Sequence, residues 1–500
     1  MFPTWLLTVI AALPLLWLLI SLGWLRFSAL KASLLGLGLA IVSALVFYRF
    51  SLGHAIAAVV EGTILALWPI FWAIFGAIYA YNIGLLTGSI EVIKKMLTQI
   101  SSDRRIQVLL LAWAFSGFLE GATGYGTAVV IPAGILIALG CEPMFAALIC
   151  LIGNTAPTAF GAIGIPLITL AKVTDQGIPI LSRYVAWQLT PLILILPLIM
   201  VWLTAEKKEG FKGVFWITVL SGIVFAGVHY LTAVYIGPEL PSMLGGIASL
   251  VLIVVWQRIS GKNKNYLKEH EKIGIPKAFT AWSPYIILFF LIVVTSSLFP
   301  SINHGLEQIQ SQFKIEDKRV TVHWILTPGS LMVGSAIIGG FLQGATIRQL
   351  GKVFIDTVFQ LYKTVLTICA IVGIAKVMSN SGMIGQIATV LSKFAGNFYP
   401  VLSPAIGAIG TFLTGSDTSS NILFGQLQKE TALNIGFNPQ WLAAANDSGA
   451  TAGKLLSPQN IAIAASVAGL AGKEGDLLKQ TFKIFLFYLL VLGTVVYVGC

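Results

Sequence analysis

The chain has 500 residues, 57% of them hydrophobic and only 10% charged, with a mean hydropathy of +0.88. Soluble domains carry roughly 25% charged residues, so the composition excludes one and predicts an all-α polytopic membrane protein. The net charge of +11 does not imply nucleic acid, because the Lys and Arg residues lie between apolar runs, where they set topology. The first run, Trp5 to Leu25, has no basic residue before it and is longer than a signal-peptide apolar region, so a retained transmembrane helix is expected. Further apolar runs follow at 29–48, 56–81, 106–117, 127–139, 143–153, 157–171, 184–203, 213–236, 241–256, 282–299, 324–343, 353–378, 399–413, 458–471 and 480–499. Several fall short of the roughly 20 residues needed to cross a bilayer core, so about a dozen full transmembrane helices are expected.

Charge between the runs orients them. Arg26 and Lys31 follow the first run, and Lys94, Lys95, Arg104 and Arg105 follow the third. Lys207, Lys208 and Lys212 precede the run at 213. The most basic loop, Arg258 to Lys277, includes Lys262, Lys264, Lys268 and Lys272, and Arg348 and Lys352 precede the run at 353. Placing all of these in the cytoplasm makes the helices alternate and puts the N-terminus and the loop Ser301 to His323 outside. The cysteines, Cys141, Cys150, Cys369 and Cys500, form no CxxC pair, and the histidines are scattered, so neither a metal site nor a cofactor is expected. His229, alone in an apolar run, reads as packed rather than catalytic.

Phe118-Leu-Glu-Gly-Ala-Thr-Gly-Tyr-Gly-Thr127 interrupts the apolar sequence with a carboxylate, two threonines and three glycines. A polar, glycine-rich break at membrane depth is tolerated where it is buried in protein or lines a wet cavity, so it reads as half of a substrate site. Phe412-Leu-Thr-Gly-Ser-Asp-Thr-Ser-Ser-Asn421 repeats its opening. Four further landmarks fall in register: Glu61 with Asp356, Asn82-Ile-Gly84 with Asn380-Ser-Gly382, Asn154 with Asn446, and Pro166 with Pro458. Chance recurrence of common turn residues is the alternative, but five landmarks in one order favour a duplicated unit. The loop after the first Asn-x-Gly is basic and its counterpart holds only Lys393, so the two units read as inverted. Inverted units with paired breaks mark secondary transporters, whose substrate sits between the breaks. The expected organisation is two N-terminal helices in 1–55, a first unit in 56–204, intervening scaffold helices with a basic loop in 205–345, and a second unit in 346–500.

Glu120 is the only carboxylate between Ile106 and Cys141, and an ionisable group at membrane depth is a functional candidate, or else it caps nearby backbone amides. Asp417 lies in the second break, where helix N-capping is the competing role. Lys454, within Asn446-Asp-Ser-Gly-Ala-Thr-Ala-Gly-Lys-Leu-Leu-Ser-Pro-Gln-Asn460, either meets an anionic substrate or neutralises Asp447 or Asp417. Gly449 and Gly453-Lys454 miss the phosphate-loop spacing by one residue, which excludes nucleotide binding. Asn154-Thr-Ala-Pro-Thr158 offers amide and hydroxyl groups for substrate or a cation, Glu142 before Pro143 reads as a helix start, and Glu61 and Asp356 either relay protons or, the favoured reading, sit in water near helix ends. Coupling to a proton needs a carboxylate that is protonated in one state, and Glu120 is the best placed.

These stretches, FLEGATGYGT, Asn154 to Pro166, FLTGSDTSSN and Asp447 to Gln459, together resemble the L-lactate permease family, over roughly 72–170 and 353–470. The resemblance implies a proton-coupled importer of short 2-hydroxymonocarboxylates (L-lactate, D-lactate, glycolate) in a bacterial or archaeal plasma membrane. It marks Pro157 and Pro458 as family-like and implies substrate contacts at Gly121, Thr123, Asn154, Thr155, Gly415, Ser420, Asn421, Lys454 and Ser457, with proton coupling at Glu120 and Asp417. Two positions depart from it: Tyr125 stands where Phe is expected, and Asp447 where Ser is expected. The expected partners are a small monocarboxylate, a proton and the lipid bilayer. The rival reading is a sodium-coupled carboxylate or dicarboxylate transporter of similar architecture, with Asn154, Thr155, Asn421 and Asp417 as sodium ligands. A membrane-embedded enzyme is disfavoured, since the chain has no HExxH motif and no Ser/His pairing pattern.

Overall fold

The computed structural model describes residues 3–21, 25, 27–124, 126–204, 210–260, 274–295, 299–315, 318–470 and 473–500. Arg26, Tyr125, Lys207, Lys208, Lys262, Lys264, Lys268 and Lys272 lie outside the described residues. The helices run in chain order as α1 (Thr4–Leu19), α2 (Ala29–Phe47), α3 (Leu52–Leu65), α4 (Trp72–Leu86), α5 (Ser89–Thr98), α6 (Arg104–Val108), α7 (Ser116–Ala122), α8 (Thr127–Ala138), α9 (Pro143–Thr155) and α10 (Gly161–Thr174). Then come α11 (Ile178–Thr204), α12 (Phe215–Tyr235), α13 (Pro241–Ile259), α14 (Ile275–Thr295) and α15 (Pro300–Glu307). After a hairpin of β1 (Gln310–Ile315) and β2 (Lys318–His323), the chain continues as α16 (Pro328–Leu342), α17 (Ile347–Asn380), α18 (Met383–Ala395) and α19 (Tyr399–Thr414). It ends with α20 (Asp417–Ile435), α21 (Pro439–Gly453), α22 (Pro458–Val467) and α23 (Glu474–Val498).

Among the described residues, nine helices are long and apolar enough to cross a membrane by length and composition. Shorter apolar helices lie at Trp5–Leu18, Thr127–Ala138 and Pro328–Leu342, the second of them beginning at the first polar break. The β-hairpin, registered from Gln310↔His323 to Ile315↔Lys318, is the exception to an all-helical fold and falls in the loop expected outside. There, solvent can satisfy its outer edges, which lipid could not.

Local sequence accounts for the helix ends. Ser28, Ser51 and Ser416 cap α2, α3 and α20 by accepting from Lys31, His54 and Ser419 amides. Thr346 and Gln349 form a reciprocal capping box on α17. Pro143 sits in the first turn of α9 after Glu142, as expected for a helix start.

The two breaks are the points of two matching hairpins. A wide-turned stretch over 109–115 joins α6 to α7, and α8 then folds back along them, so that Ser116 Oγ donates to the Ala128 carbonyl at 2.8 Å. α9 lies beside the same helix, where a Cβ on Gly153 would collide with the Ala112 carbonyl. In the second unit α20 folds back along α19, Ser420 Oγ donating to the Gly407 carbonyl at 2.7 Å. α21 packs on α19 so closely that a Cβ on Gly407 or Gly449 would strike the Asn446 or Pro404 carbonyl. Small residues at these crossings are what lets helix backbones touch without a hydrophobic driving force in lipid.

α10 and α20 lie side by side. Asn421 Nδ2 donates to the Pro166 carbonyl at 3.0 Å, and one turn on, Gly425 packs against Leu170. The contacts ascend together, so these two helices run in the same direction. Before α10 the chain makes a tight turn over 156–160, and Ala162 and Ile163 then take left-handed backbone at φ +43° and +60°. Left-handed backbone costs a non-glycine residue about 1–2 kcal/mol, and a β-branched side chain makes it rarer still. The strain sits where Gly124 and Ala162 pack together, at the wall of the cavity described next.

Candidate substrate-binding site

Between the two hairpins lies a cavity of about 450 Å³. Glu120, Gly124 and Gly126 line it from the first break, Thr158, Gly161 and Ala162 from the turn before α10, and Thr414 to Ser419 from the second break. Lys454, Gln459 and Asn460 close it from the break after α21, while Ser28, Lys363, Thr364 and Thr367 form its outer part.

At its centre Lys454 Nζ pairs with Glu120 Oε1 at 3.0 Å, joining the end of α21 to α7. Both side chains are largely buried. Lys454 is the C-cap of α21, and the negative end of that helix favours an ammonium. Glu120 projects from the last turn of α7 toward Gly161, whose missing side chain makes room for it: a Cβ there would lie 2.6 Å from Oε1. The second oxygen, Oε2, is buried without a hydrogen-bond partner among the described residues.

Asp417 is the first residue of α20, with the positive end of that helix behind its carboxylate. Its Oδ1 accepts from Thr411 Oγ1 at 3.1 Å, and it lies within electrostatic reach of Lys454 and Glu120. The capping role proposed for it belongs instead to Ser416, because the chain turns one residue earlier, at Gly415 with φ +73°. The buried part of the cavity thus holds two carboxylates against one ammonium, with Lys363 a further cation on the exposed side.

A family model described as L-lactate permease matches residues 8–499. The chain belongs to the L-lactate permease family. An L-lactate permease of Streptococcus iniae is 42% identical over 445 residues, covering 88% of this chain and 94% of that one. One from Bacillus subtilis is 35% identical, covering 97% and 94%. Glycolate permease GlcA of Escherichia coli is 32% identical, also covering 97% and 94%. The YdaH transporter of Alcanivorax borkumensis shares 14% identity at a TM-score of 0.49, over 87% of this chain and 84% of that one. Membership makes this permease a multi-pass protein of the plasma membrane and a transporter rather than an enzyme.

Of the residues singled out in the sequence, Glu120, Gly415, Asp417 and Lys454 line the cavity of this family member. The others stand behind its wall. Gly121 packs against the backbone of Met243, Thr123 bonds Thr127 and the Leu119 carbonyl, and Thr155 bonds the Leu151 carbonyl. Asn154 accepts from Ser116 at 3.4 Å, Ser420 bonds Gly407, and Asn421 is held by Pro166, Asp447 and Asn446. Ser457 is fully buried with its hydroxyl unpartnered among the described residues. Lys454 meets Glu120 rather than either aspartate as its hydrogen-bond partner, which the sequence alternatives did not include. Thr158, the last residue of the Asn154 motif, does line the cavity, whereas Gly161, Gln459, Asn460 and Lys363 were missed as lining residues; the polar pair after Pro458 carried the available signal.

Glu61 corrects a second expectation. It is not solvated: Oε1 pairs with Lys376 Nζ at 2.7 Å and Oε2 accepts from Asn380 Nδ2 at 3.3 Å, between α3 and α17. Gly62 sits one residue on with no room for a Cβ against Gly373, and that close packing is what buries the charge. His229 is fully buried, edge-on to Phe160 at 4.7 Å, as a packed residue.

Proposed function

We propose that this permease is a secondary active transporter that imports short 2-hydroxymonocarboxylates (L-lactate, D-lactate and glycolate) by proton symport, through two inverted units that meet at the cavity. The observation that carries this reading is the buried Lys454–Glu120 pair beside Asp417. With two carboxylates already facing one ammonium, an entering monocarboxylate would add a second excess negative charge in a low-dielectric site. Two like charges about 4 Å apart repel by about 4 kcal/mol at an effective dielectric of 20. A proton on Glu120 removes that conflict and releases Lys454 for the substrate carboxylate, so substrate and proton are bound together. The Ser419 hydroxyl and the amides of Gln459 and Asn460 line the cavity for a 2-hydroxyl group, and Thr158, whose own hydrogen goes to the Thr155 carbonyl, can still accept from one.

The sodium-coupled alternative draws less support. Asn154, Thr155 and Asn421 make hydrogen bonds outside the cavity, leaving Asp417 as its one candidate ligand there. Uptake of labelled lactate, glycolate and succinate into proteoliposomes tests the reading. A pH gradient should drive lactate and glycolate accumulation, and a sodium gradient alone should not. Accumulation of succinate, or dependence on sodium, would overturn it.

A further inference from the structure

Asp447 lies outside the cavity and outside every role assigned so far, and it is the position where the family resemblance leads one to expect Ser. It sits on α21, seven residues before Lys454, which places it on the same helix face about 10 Å deeper. Its side chain is fully buried. Oδ1 accepts from Asn421 Nδ2 at 2.6 Å, whereas Oδ2 is buried with no hydrogen-bond partner among the described residues.

The surroundings assign direction to every hydrogen bond. Tyr399 and Ser403 hydroxyls each donate to Gln428 Oε1 at 2.8 Å. Gln428 donates to Asn446 Oδ1 at 3.2 Å, Asn446 to Asn421 Oδ1 at 2.9 Å, and Asn421 to Asp447. This amide chain ends on Oδ1, so Oδ1 is an acceptor in either protonation state. Any proton on the carboxyl must reside on Oδ2.

Among the described residues, no cation pairs with Asp447. Lys454 on the same helix is engaged by Glu120. On the helices packed against α21, Lys429 bonds the Thr174 carbonyl, Glu430 accepts from Gln426, and Arg183 is exposed. Lys172 and Asp175 lie at the far end of α10, and the Tyr399 and Tyr488 hydroxyls bond Gln428 and Thr451. Asp417, one turn before Asn421 on α20, is the titratable neighbour within electrostatic reach, and it is a second carboxyl rather than a cation. A fully buried carboxylate with one amide donor, no cation and a second carboxylate nearby is costly to keep ionised.

We propose that Asp447 is a second proton-binding carboxyl of the transport cycle, protonated at Oδ2 in the state seen here and exchanging its proton with the cavity by way of Asp417. This rests on the proton-symport reading for its role in coupling, although protonation itself does not depend on that reading. The test compares wild type with Asp447→Asn, which keeps an acceptor for Asn421 and is permanently neutral, and with Asp447→Ser. Purified wild-type protein should show a protonated-carboxyl C=O infrared band at neutral pH that both variants lack. In proteoliposomes, Asp447→Asn should retain lactate counterflow while the number of protons moved per lactate falls by one. An infrared difference spectrum without that band, or Asp447→Asn with an unchanged proton-to-lactate ratio, would overturn the proposal. If wild-type uptake follows sodium and not protons, the symport reading fails, and the infrared band still decides whether Asp447 is protonated. If neither variant folds, the shift of that band on ¹³C-aspartate labelling, together with its persistence in Asp417→Asn, keeps the question decidable: a band lost wholly in Asp417→Asn would contradict the proposal.

Discussion

Replacing Glu120 with Gln removes one charge from the centre of the cavity and leaves its shape nearly intact. The structure sets the size of the effect. Lys454 loses its 3.0 Å partner while remaining largely buried. Removing one partner of a buried pair costs about 3–5 kcal/mol, and the amide oxygen of Gln still accepts from the ammonium, so about 3 kcal/mol is expected. An entering lactate carboxylate recovers part of that. If it recovers half, the apparent Km for exchange falls about tenfold, since about 1.4 kcal/mol is a factor of ten. The same substitution removes the group that takes the coupling proton. Counterflow of pre-loaded lactate should persist, while accumulation under an imposed pH gradient falls well below that of wild type. Lactate should also raise the melting temperature of the variant more than that of wild type. Accumulation by Glu120→Gln equal to wild type would refute the reasoning.

Lys454→Ala removes the one buried ammonium of the cavity and should raise the Km for lactate tenfold or more, in line with the ~1.5–3 kcal/mol of a charge-assisted hydrogen bond; unchanged uptake kinetics would remove Lys454 from the site. Gly161→Ala places a Cβ 2.6 Å from Glu120 Oε1, and at ~1–3 kcal/mol for overpacking it should cut coupled uptake about tenfold with near-normal folding; wild-type uptake would show that Glu120 does not depend on that space. Lys376→Met strands Glu61 in the α3–α17 packing and should lower stability by about 3–5 kcal/mol, whereas Glu61→Met with Lys376→Met should recover most of it; equal melting temperatures for the single variant and wild type would contradict a buried pair.

The breaks were legible because a polar, glycine-rich cluster inside apolar sequence has few tolerated positions in a membrane protein. Phe118 to Thr127 and Phe412 to Asn421 therefore announced the cavity wall, and Glu120, Asp417 and Lys454 announced its charges. Their pairing was not legible. Glu120 and Lys454 are 334 residues apart, and only the crossing of the two units brings them together. Glycines were ambiguous for a related reason. Gly121 and Gly161 both look like sites of close approach, but one admits the Met243 backbone and the other admits a carboxylate. Asn421 read as a substrate contact because an amide at a break suits a hydroxy acid equally well. In the fold its donors are taken by Pro166 and Asp447. Glu61 read as solvated because nothing in its neighbourhood of sequence names Lys376 as a partner.

The most direct test of the central claim follows protons rather than substrate. Proteoliposomes holding the wild-type permease and a lumenal pH dye, in sodium-free buffer with the membrane potential clamped, are given external lactate. Co-transport predicts lumenal acidification that tracks labelled lactate entry and is smaller per lactate in Glu120→Gln. Lactate entry with no change in lumenal pH, or acidification of equal size in Glu120→Gln, would contradict it.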